Sequence, residues 1–425
     1  MIERFGSLTF DEVSAFGMQL TDYRKFEDIV DRIREFRRAK ALNKGNYRKF
    51  FQQYIDSELR KIYADELAAG DISTRESRDS SEAKFLKTKR SNLRDYTDAC
   101  FRYLRATELV SISQIGHSVR VAKGKEKDVE YILANVGRAP VFTDDLNSYK
   151  RHLFDATAPT LLTDDRTALL EQLSTHAHAE DIQAKSLVEL KLTLLKLREQ
   201  SKQKAVDAEV HKLKNFENYE DVQSKFDGIV DGEYYDNPLM LEWNTWRAMT
   251  MIDGGDIAPN FKLDDEGLPL STAVGNIPDI VCNYEDFNLI VEVTLQSGQK
   301  QYDNEGEPVA RHLGKIKEAS TKEAYCLFVA PKLSPASIAH FYGLHKISIS
   351  HYGGTSVIVP LELQVYRKML EDANEAGYTP ESHQLRAIFE ASIRFAEDAT
   401  NEIEWHEQIS NFALNWLSPD EIVHS

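Results

Sequence analysis

Residues 277–312 have the sequence IPDIVCNYEDFNLIVEVTLQSGQKQYDNEGEPVARH, and the rest of the chain is organised around this stretch. Two short segments rich in Ile, Val and Phe, 277–282 and 287–294, flank the polar turn 283–286, which predicts a β-hairpin. In such a hairpin Asp279 and Glu292 would lie side by side at one end of a sheet. Paired carboxylates there can bind a hard divalent cation such as Mg²⁺ through their oxygens. The stretch therefore predicts a metal site of the kind that a metal-dependent nuclease needs.

The same stretch resembles the PD-(D/E)xK nuclease superfamily, in which Pro-Asp is followed by Glu-x-Lys on the neighbouring strand. Here Thr294 occupies the position of the Lys. The surrounding sequence resembles the AlwI-like family of type IIS restriction endonucleases, in which Thr is usual at that position. Ordered matches are more specific than a lone Pro-Asp with a distant Glu. They are Glu242 in LEWNTWRAM, Pro278-Asp279, Glu292-Val293-Thr294, Gly298, Gln301, Glu305 and Pro308-Val309-Ala310-Arg311-His312.

The resemblance implies a fold that is α/β plus mostly α. We expect a C-terminal PD-(D/E)xK-like α/β sandwich for cleavage, an N-terminal winged-helix-containing DNA-recognition region and a helical linker. The implied enzyme is a type IIS restriction endonuclease, a Mg²⁺-dependent site-specific deoxyribonuclease. It would recognise a short asymmetric sequence in double-stranded DNA and hydrolyse phosphodiester bonds a few base pairs outside it. Its system would include a cognate DNA methyltransferase.

One active site cuts one strand, so double-strand cleavage would need a transient homodimer or a second subunit. A chain that dimerises poorly would be a strand-specific nicking endonuclease. From a different class, the chain would be a catalytically inactive site-specific DNA-binding protein. A nuclease that had lost its activity would be expected to lack one of the four acidic residues of the site. All four, Glu242, Asp279, Glu292 and Glu305, are present. A transcription regulator with a ligand pocket would leave the matched positions unexplained.

The candidate catalytic residues are assigned as follows. Asp279 and Glu292 are expected to bind the metal directly, with Glu242 as a third carboxylate from the helix in front. By the resemblance, Glu305 belongs to the site and would hold a second metal or orient the attacking water. His312 either contacts a phosphate or activates water, or it is a structural histidine. Four residues would share the role of the missing Lys. Thr294 and Gln301 would position water, and Arg311 and Lys315 would stabilise the transition state.

Bulk properties set the context of this site. The chain has 425 residues, a net charge of −17 and three cysteines, and no segment approaches the roughly 18 uninterrupted apolar residues of a membrane span. We expect a soluble, cytoplasmic protein without a membrane partner. Cys100, Cys282 and Cys326 are widely spaced in apolar runs, which predicts reduced core thiols without a zinc site.

The negative net charge conceals a basic segment. Residues 31–130 contain 23 Lys and Arg against 16 Asp and Glu, whereas the rest of the chain contains 29 against 53. A basic segment that neutralises phosphates favours DNA binding. A solvated charged surface with no partner is the alternative interpretation.

Within that segment, residues 82–123 predict a helix, a turn, a second helix and a two-stranded wing, which together form a winged helix. Such a fold would place the second helix in the major groove, although winged helices also bind proteins. The predicted DNA contacts are Lys87, Lys89, Arg90, Asn92, Arg94, Arg102 and Arg105 near the helices, Arg120 and Lys123 on the wing, and Arg311 and Lys315 in the cleavage domain.

The sequence predicts three parts. Residues 1–135 form the DNA-recognition region, with the winged helix at about 82–123. Residues 136–215 form a mostly helical second recognition part and linker. Residues 216–425 form the cleavage domain, in which Asn237 opens a helix carrying Glu242 and Pro308 begins another. A strand is predicted at 347–350 and a helical tail at 383–416.

Overall fold

The chain, represented by a computed structural model, divides into two compact units, Met1–Leu195 and Lys196–Ser425. The structure describes residues 1–70, 72–76, 79–137, 144–155, 161–174, 182–252, 256–264, 267–273 and 275–417. The division falls within a long helix, Leu187–Lys214, at the end of the predicted part 136–215. The three-part division expected from the sequence stays a prediction.

The first unit is mostly helical and contains a small sheet. Its helices are α1 (Ile2–Phe5), α2 (Phe10–Ala15), α3 (Phe26–Leu42), α4 (Tyr47–Ile62), α5 (Ala64–Ala69), α6 (Glu82–Ala106), α7 (Glu126–Asn135), α8 (Leu146–Leu153), α9 (Arg166–Ser174) and the start of α10 (Leu187–Lys214). Its strands are β1 (Ser7–Thr9), β2 (Val110–Ser113) and β3 (Ser118–Val121), in the order β1-β3-β2 with both pairings antiparallel. Short 3₁₀ turns lie at Gly17–Gln19, Tyr23–Lys25 and Leu162–Asp164.

Local sequence accounts for the start of α2. The Thr9 hydroxyl accepts a hydrogen bond from the Glu12 amide at 3.2 Å, and the Glu12 carboxylate accepts one from the Thr9 amide at 2.8 Å. This reciprocal capping box satisfies two amides that the first helical turn leaves open. The sequence Thr9-Phe10-Asp11-Glu12 predicts a helix start, and this capping box confirms it.

The predicted helix–turn–helix at 82–105 is wrong, because α6 is one continuous helix of 25 residues. No Gly or Pro interrupts residues 82–106, so nothing in the sequence breaks the ladder of backbone hydrogen bonds. The predicted hairpin is confirmed, since β2 pairs with β3 from Val110↔Val121 to Ser113↔Ser118. Assignment of the region as a winged helix stays a prediction.

The second unit confirms the expected mixed α/β fold. Its helices are the end of α10, α11 (Tyr219–Val230), α12 (Asn237–Ile252), α13 (Gln299–Ala319), α14 (Pro335–Lys346), α15 (Leu363–Ala376), α16 (Ser382–Asp398) and α17 (Glu402–Ala413). Its strands are β4 (Asp256–Pro259), β5 (Lys262–Leu263), β6 (Pro269–Ser271), β7 (Ile280–Asn283), β8 (Phe287–Val293), β9 (Glu323–Ala330) and β10 (Ile358–Glu362).

A mixed five-stranded sheet organises this unit. Its order is β10-β9-β8-β7-β4, in which β8, β9 and β10 are parallel, whereas β7 is antiparallel to both of its neighbours. Strand β8 is buried from Phe287 to Glu292, as expected for a central strand covered on both faces. The predicted hairpin is confirmed, with Ile280 opposite Val291. That register brings Asp279 next to Glu292.

Three predicted boundaries in this unit are wrong. Helix α13 begins at Gln299 and not at Pro308, which lies inside it. Residues 347–350 are not a strand and contribute a single bridge, Ile349↔Gly354. The predicted helical tail is divided into α16 and α17 by an extended residue, Ala399. Among the described residues, no helix is both long and apolar enough to cross a bilayer.

Candidate active site

Helix α12 carries Glu242 and is buried among neighbouring elements. All its residues from Leu239 to Ile252 are buried. The Asn244 amide donates to the Val222 carbonyl at 2.9 Å, and the Trp246 indole donates to the Ile257 carbonyl at 3.2 Å. Buried Arg247 pairs with Glu209 at 3.1 Å and with Asp221 at 2.8 Å. A helix fixed in this way holds the Glu242 carboxylate in one place.

A cavity of about 410 Å³ lies beside this helix, at the end of the β7–β8 hairpin. The four carboxylates predicted for the site, Glu242, Asp279, Glu292 and Glu305, all line it. They come from α12, from the residue before β7, from the end of β8 and from the second turn of α13. The structure therefore brings together residues that are up to 63 positions apart in the sequence. Thr294 and His312 also line the cavity.

Two backbone amides orient these acids. The Val293 amide donates to Asp279 Oδ2 at 2.9 Å, which holds the carboxylate against the neighbouring strand. The Ala273 amide donates to Glu242 Oε2 at 2.9 Å. One carboxylate oxygen of Asp279 and one of Glu242 therefore accept a hydrogen bond from the backbone.

Burial raises the pKa of all four acids, and repulsion between neighbouring carboxylates adds to it for Glu242, Asp279 and Glu292. Burial, followed by the charge of Asp279, raises the pKa of Glu242 to about 8. Burial and the charge of Glu292 hold the pKa of Asp279 well above its usual value, and burial and the charge of Glu305 do the same for Glu292. Burial raises the pKa of Glu305 less, since a hydrogen bond from Thr294 opposes it. The raised pKa values favour the protonated acids, and a bound cation would favour their ionised forms.

The described lining residues include no Lys or Arg. Arg311 and Lys315 instead bind the loop that forms the rim of the cavity. The Arg311 guanidinium contacts the Asn276 side chain and Glu307, and the Lys315 ammonium donates to the Asn276 carbonyl at 2.9 Å. Asn276 has a φ of 71°, and these two contacts hold it in that unfavourable conformation. Sequence reasoning missed Asn276, because its partners lie more than 30 positions away.

His312 contacts Glu292 directly. Its Nδ1 lies 2.7 Å from Glu292 Oε1, and its Nε2 is buried without a hydrogen-bond partner. Burial, together with the charges of Arg311 and Lys315, lowers the pKa of His312 to about 4, so the ring is neutral near pH 7. When a bound cation keeps Glu292 ionised, that carboxylate can accept but not donate, so Nδ1 would carry the proton and Nε2 would be the acceptor.

The hydroxyl of Thr294 accepts a hydrogen bond from the Gln296 amide at 3.1 Å, and its interaction with Glu305 acts to lower the pKa of that acid. It orients an acid but brings no positive charge. Gln301 has a different role from the one expected. Its fully buried amide donates to the carbonyls of Gln296 and Lys332 at 2.8 and 2.9 Å and accepts from the Ser334 amide at 2.7 Å. The expectation that it positions water is wrong, since all its polar atoms bind backbone.

The residues fit a divalent cation in the character of their donors. Oxygen donors, raised carboxylate pKa values and the absence of a lining cation among the described residues all favour a hard, doubly charged ion. Nevertheless, no group of three or more His, Cys, Asp or Glu side chains in the described ranges is arranged to hold an ion by itself. Mg²⁺ commonly keeps several waters and uses one or two carboxylates. The predicted set of three carboxylate ligands stays a prediction.

The DNA contacts predicted in the first unit are only partly accessible. The prediction that Arg105 lies on the outside of the helix is wrong. Its side chain is 7% exposed, and it follows Thr97 and Phe101 along the inner face of α6 at intervals of four residues. Arg90 is half-buried and paired with Asp56. Lys89 is also half-buried, with its ammonium over the Tyr63 ring at 4.7 Å. Asn92 is half-buried, whereas Lys87, Arg94, Arg102, Arg120 and Lys123 are exposed.

The three cysteines are free thiols, as expected. Cys282 and Cys326 are buried, whereas Cys100 is half-buried. No zinc-like arrangement occurs among the described residues.

Comparison with known proteins identifies the family. The family model described as AlwI restriction endonuclease matches residues 2–369. No curated protein matches the chain significantly. One solved structure, the small subunit of the heterodimeric restriction endonuclease R.BspD6I, is 26% identical and is covered over 98% of its length by 45% of this chain. Its TM-score of 0.38 is too low to support a conclusion about shared architecture. Because the family match spans most of the sequence, this chain belongs to the AlwI restriction endonuclease family.

Proposed function

We propose that this site-specific nuclease is a type IIS restriction endonuclease that uses Mg²⁺. It recognises a short asymmetric DNA sequence and hydrolyses phosphodiester bonds a few base pairs outside it. The observation that carries the proposal is the cavity in which Asp279 and Glu292 lie on adjacent strands with Glu242 and Glu305. Glu242 and Glu292 are buried, and Asp279 and Glu305 are half-buried. Four such carboxylates without a lining cation among the described residues are destabilising, and the arrangement is typical of a functional site.

In this proposal Asp279 and Glu292 hold the metal, with Glu242 as the third carboxylate. When bound, Mg²⁺ supplies charge neutralisation for the phosphate and lowers the pKa of a water. The amides of Val293 and Ala273 keep the acids in orientation through the bonds given above. The neutral state of His312 leaves Nε2 available to accept a proton from water.

Glu305 and Thr294 act together. Their hydrogen bond favours the ionised form of Glu305. An ionised Glu305 is a suitable group to orient the attacking water. Arg311 and Lys315 shape the cavity rim through Asn276 and present positive charge at its edge, where a DNA phosphate would approach.

Recognition is assigned to the first unit, with α6 and the β2–β3 hairpin as its winged-helix part. Each chain carries one such cavity in its described residues, so cutting both strands requires a second copy or a second subunit. Without one, the same site makes a nicking enzyme. The cognate methyltransferase and the cytoplasmic location stay predictions.

The test is cleavage of supercoiled plasmid with Mg²⁺ by the purified protein and by Glu292→Ala, followed by run-off sequencing of the ends. We expect ends at a fixed distance from one short sequence, and their loss in the variant. Glu318→Gln is the matched control, since Glu318 is exposed on α13 and does not line the cavity. One-strand or two-strand breaks distinguish nicking from double-strand cleavage. Intact plasmid under several divalent metals, with DNA still bound, would establish the inactive binding protein instead.

A further inference from the structure

The first unit contains an open cleft that the cleavage site does not use. It has a volume of about 670 Å³ and lies where α2, α4 and α6 meet the turn of the β2–β3 hairpin. Phe10, Tyr47 and Phe51 contribute aromatic surface to it. Tyr47 and Phe51 stack with ring centroids 6.1 Å apart, which makes this part of the wall rigid.

Four Lys or Arg side chains line this cleft: Arg90, which is paired with Asp56, and three others, Lys40, Arg48 and Arg94. These last three are exposed, and none has an ion pair among the residues that the structure describes. Other basic residues of the same unit are paired, including Arg37 with Glu12 at 2.7 Å and Arg60 with Glu82 at 2.7 Å. Lys40, Arg48 and Arg94 differ from other exposed cations of this unit, such as Lys49, in that they line one cleft. Their common location predicts an anionic ligand.

The acid at the cleft does not neutralise them. Asp11 lines the cleft, but its Oδ2 accepts a hydrogen bond from the Tyr47 hydroxyl at 2.6 Å. The Lys40 ammonium lies 4.7 Å from the centre of the Tyr47 ring, and the Arg94 guanidinium lies 5.9 Å from that of Phe10. Contacts with aromatic faces orient the cations without removing their charge. The cleft thus presents positive charge on an ordered surface.

We propose that this cleft, called here the cationic cleft and defined by Lys40, Arg48, Arg94, Tyr47 and Phe10, binds the sugar–phosphate backbone of one DNA strand. The proposal rests on the proposed function, since it concerns how that enzyme holds its substrate. The cleft has the volume of a small-ligand site. A duplex, whose major groove alone is about 12 Å wide, does not fit inside it. One strand of the duplex therefore places its phosphates against the cleft.

Two of these DNA contacts, Lys40 and Arg48, were not predicted from the sequence. Lys40 lies in the last turn of α3 and Arg48 in the first turn of α4, so both precede the predicted winged helix. Arg94 alone was among the predicted contacts. The strand would run across three helices and not along α6 alone.

Phosphate contacts are measured by the salt dependence of binding, because each neutralised phosphate releases counterions. The probe is a labelled duplex of mixed sequence, bound to the full-length protein without divalent metal between about 50 and 200 mM salt. We expect Lys40→Ala, Arg48→Ala and Arg94→Ala each to reduce the slope of log K against log salt by about 1. The triple variant should bind at least about 10-fold more weakly at the low-salt end.

Lys49→Ala is the matched control. Lys49 follows Arg48 on α4, is equally exposed and does not line the cleft. The inference is overturned if the three cleft variants keep the wild-type slope, or if Lys49→Ala changes it as much as they do. Plasmid cleavage with Mg²⁺ is measured in parallel. If the wild-type protein cuts the plasmid but the cleft variants keep the wild-type slope, this inference alone fails. If the wild-type protein binds DNA, the cleft variants change the slope and no plasmid is cut, the proposed function alone fails.

Discussion

At the scale of single residues, Thr294 shows how this site differs from one that has Lys at the same position. Thr294 cannot replace an ammonium, and no Lys or Arg is found among the described residues that line the cavity. The hydroxyl instead hydrogen bonds Glu305 and thereby opposes the effect of burial on the pKa of that acid. A Lys would neutralise charge directly, whereas Thr adjusts the protonation of a neighbour. The site therefore depends more heavily on a bound cation than a Lys-containing one does.

Replacement of Thr294 tests this role. Thr294→Val keeps the shape of the side chain and removes the hydrogen bond, so the pKa of Glu305 should rise further. We expect plasmid cleavage at pH 7 to fall several-fold, because less Glu305 is ionised, and to recover partly at higher pH. Thr294→Ser keeps the hydroxyl and should retain most activity. Equal loss in both variants, measured as initial cleavage rates across pH, would contradict the proposed role.

At the scale of elements, helix α13 connects the site to the sheet. Glu305 and His312 both lie on it, and Gln301 ties its first turn to the segment that follows β9 through backbone hydrogen bonds. Gly298, with a φ of 60°, allows the chain to turn into the helix. A shift of this one element would move an acid and a histidine together.

Gln301→Ala should loosen that connection. The change leaves the Ser334 amide and two carbonyls without partners in a buried place, so we expect a loss of about 2 kcal/mol in the free energy of unfolding. Cleavage should fall more than binding, because Glu305 loses its fixed position. Urea unfolding and cleavage rates measure the two effects. The control is Gln299→Ala, whose exposed side chain bonds Asp303 on the surface; a similar loss there would show that the buried bonds are unimportant.

The elements also show what sequence reasoning can reach. The β7–β8 hairpin, the helix of Glu242 and the cap at Thr9 were predicted, since apolar pattern and turn residues determine them locally. Pro308 was wrongly taken as a helix start because Pro favours first turns, whereas the long-range bonds of Gln301 extend α13 to Gln299. The burial of Arg105 and the tie between Arg311 and Asn276 likewise depend on tertiary packing, which a local pattern does not contain.

At the scale of the whole molecule, charge is separated by role. The basic segment 31–130 contains the three cations of the cationic cleft, whereas the second unit places four acids around one cavity. Unpaired charge of either sign lowers stability, so both groups are maintained at a cost that substrate or metal would offset. Stability of the metal-free protein should therefore report on the acid cluster directly.

The sign of the pH dependence follows from the pKa shifts. Glu242 titrates near 4.5 in the unfolded chain and at about 8 in the folded one, so between these values the folded protein holds more protons. The free energy of unfolding then falls as pH rises. His312, with its pKa lowered to about 4, contributes in the opposite direction, but only below its ordinary value of 6.5. The window from about pH 6.5 to 8 therefore isolates the acids.

In that window we expect the melting temperature of the metal-free protein to fall with rising pH, by several degrees. Mg²⁺ should reverse the fall, because a ligand that binds the folded state stabilises it. Glu242→Gln removes one titrating acid and should flatten the dependence, whereas Glu318→Gln should leave it unchanged. Differential scanning calorimetry with EDTA and with Mg²⁺ makes the measurement. A melting temperature that rises from pH 6.5 to 8 without metal would mean that the acids are not held protonated by burial.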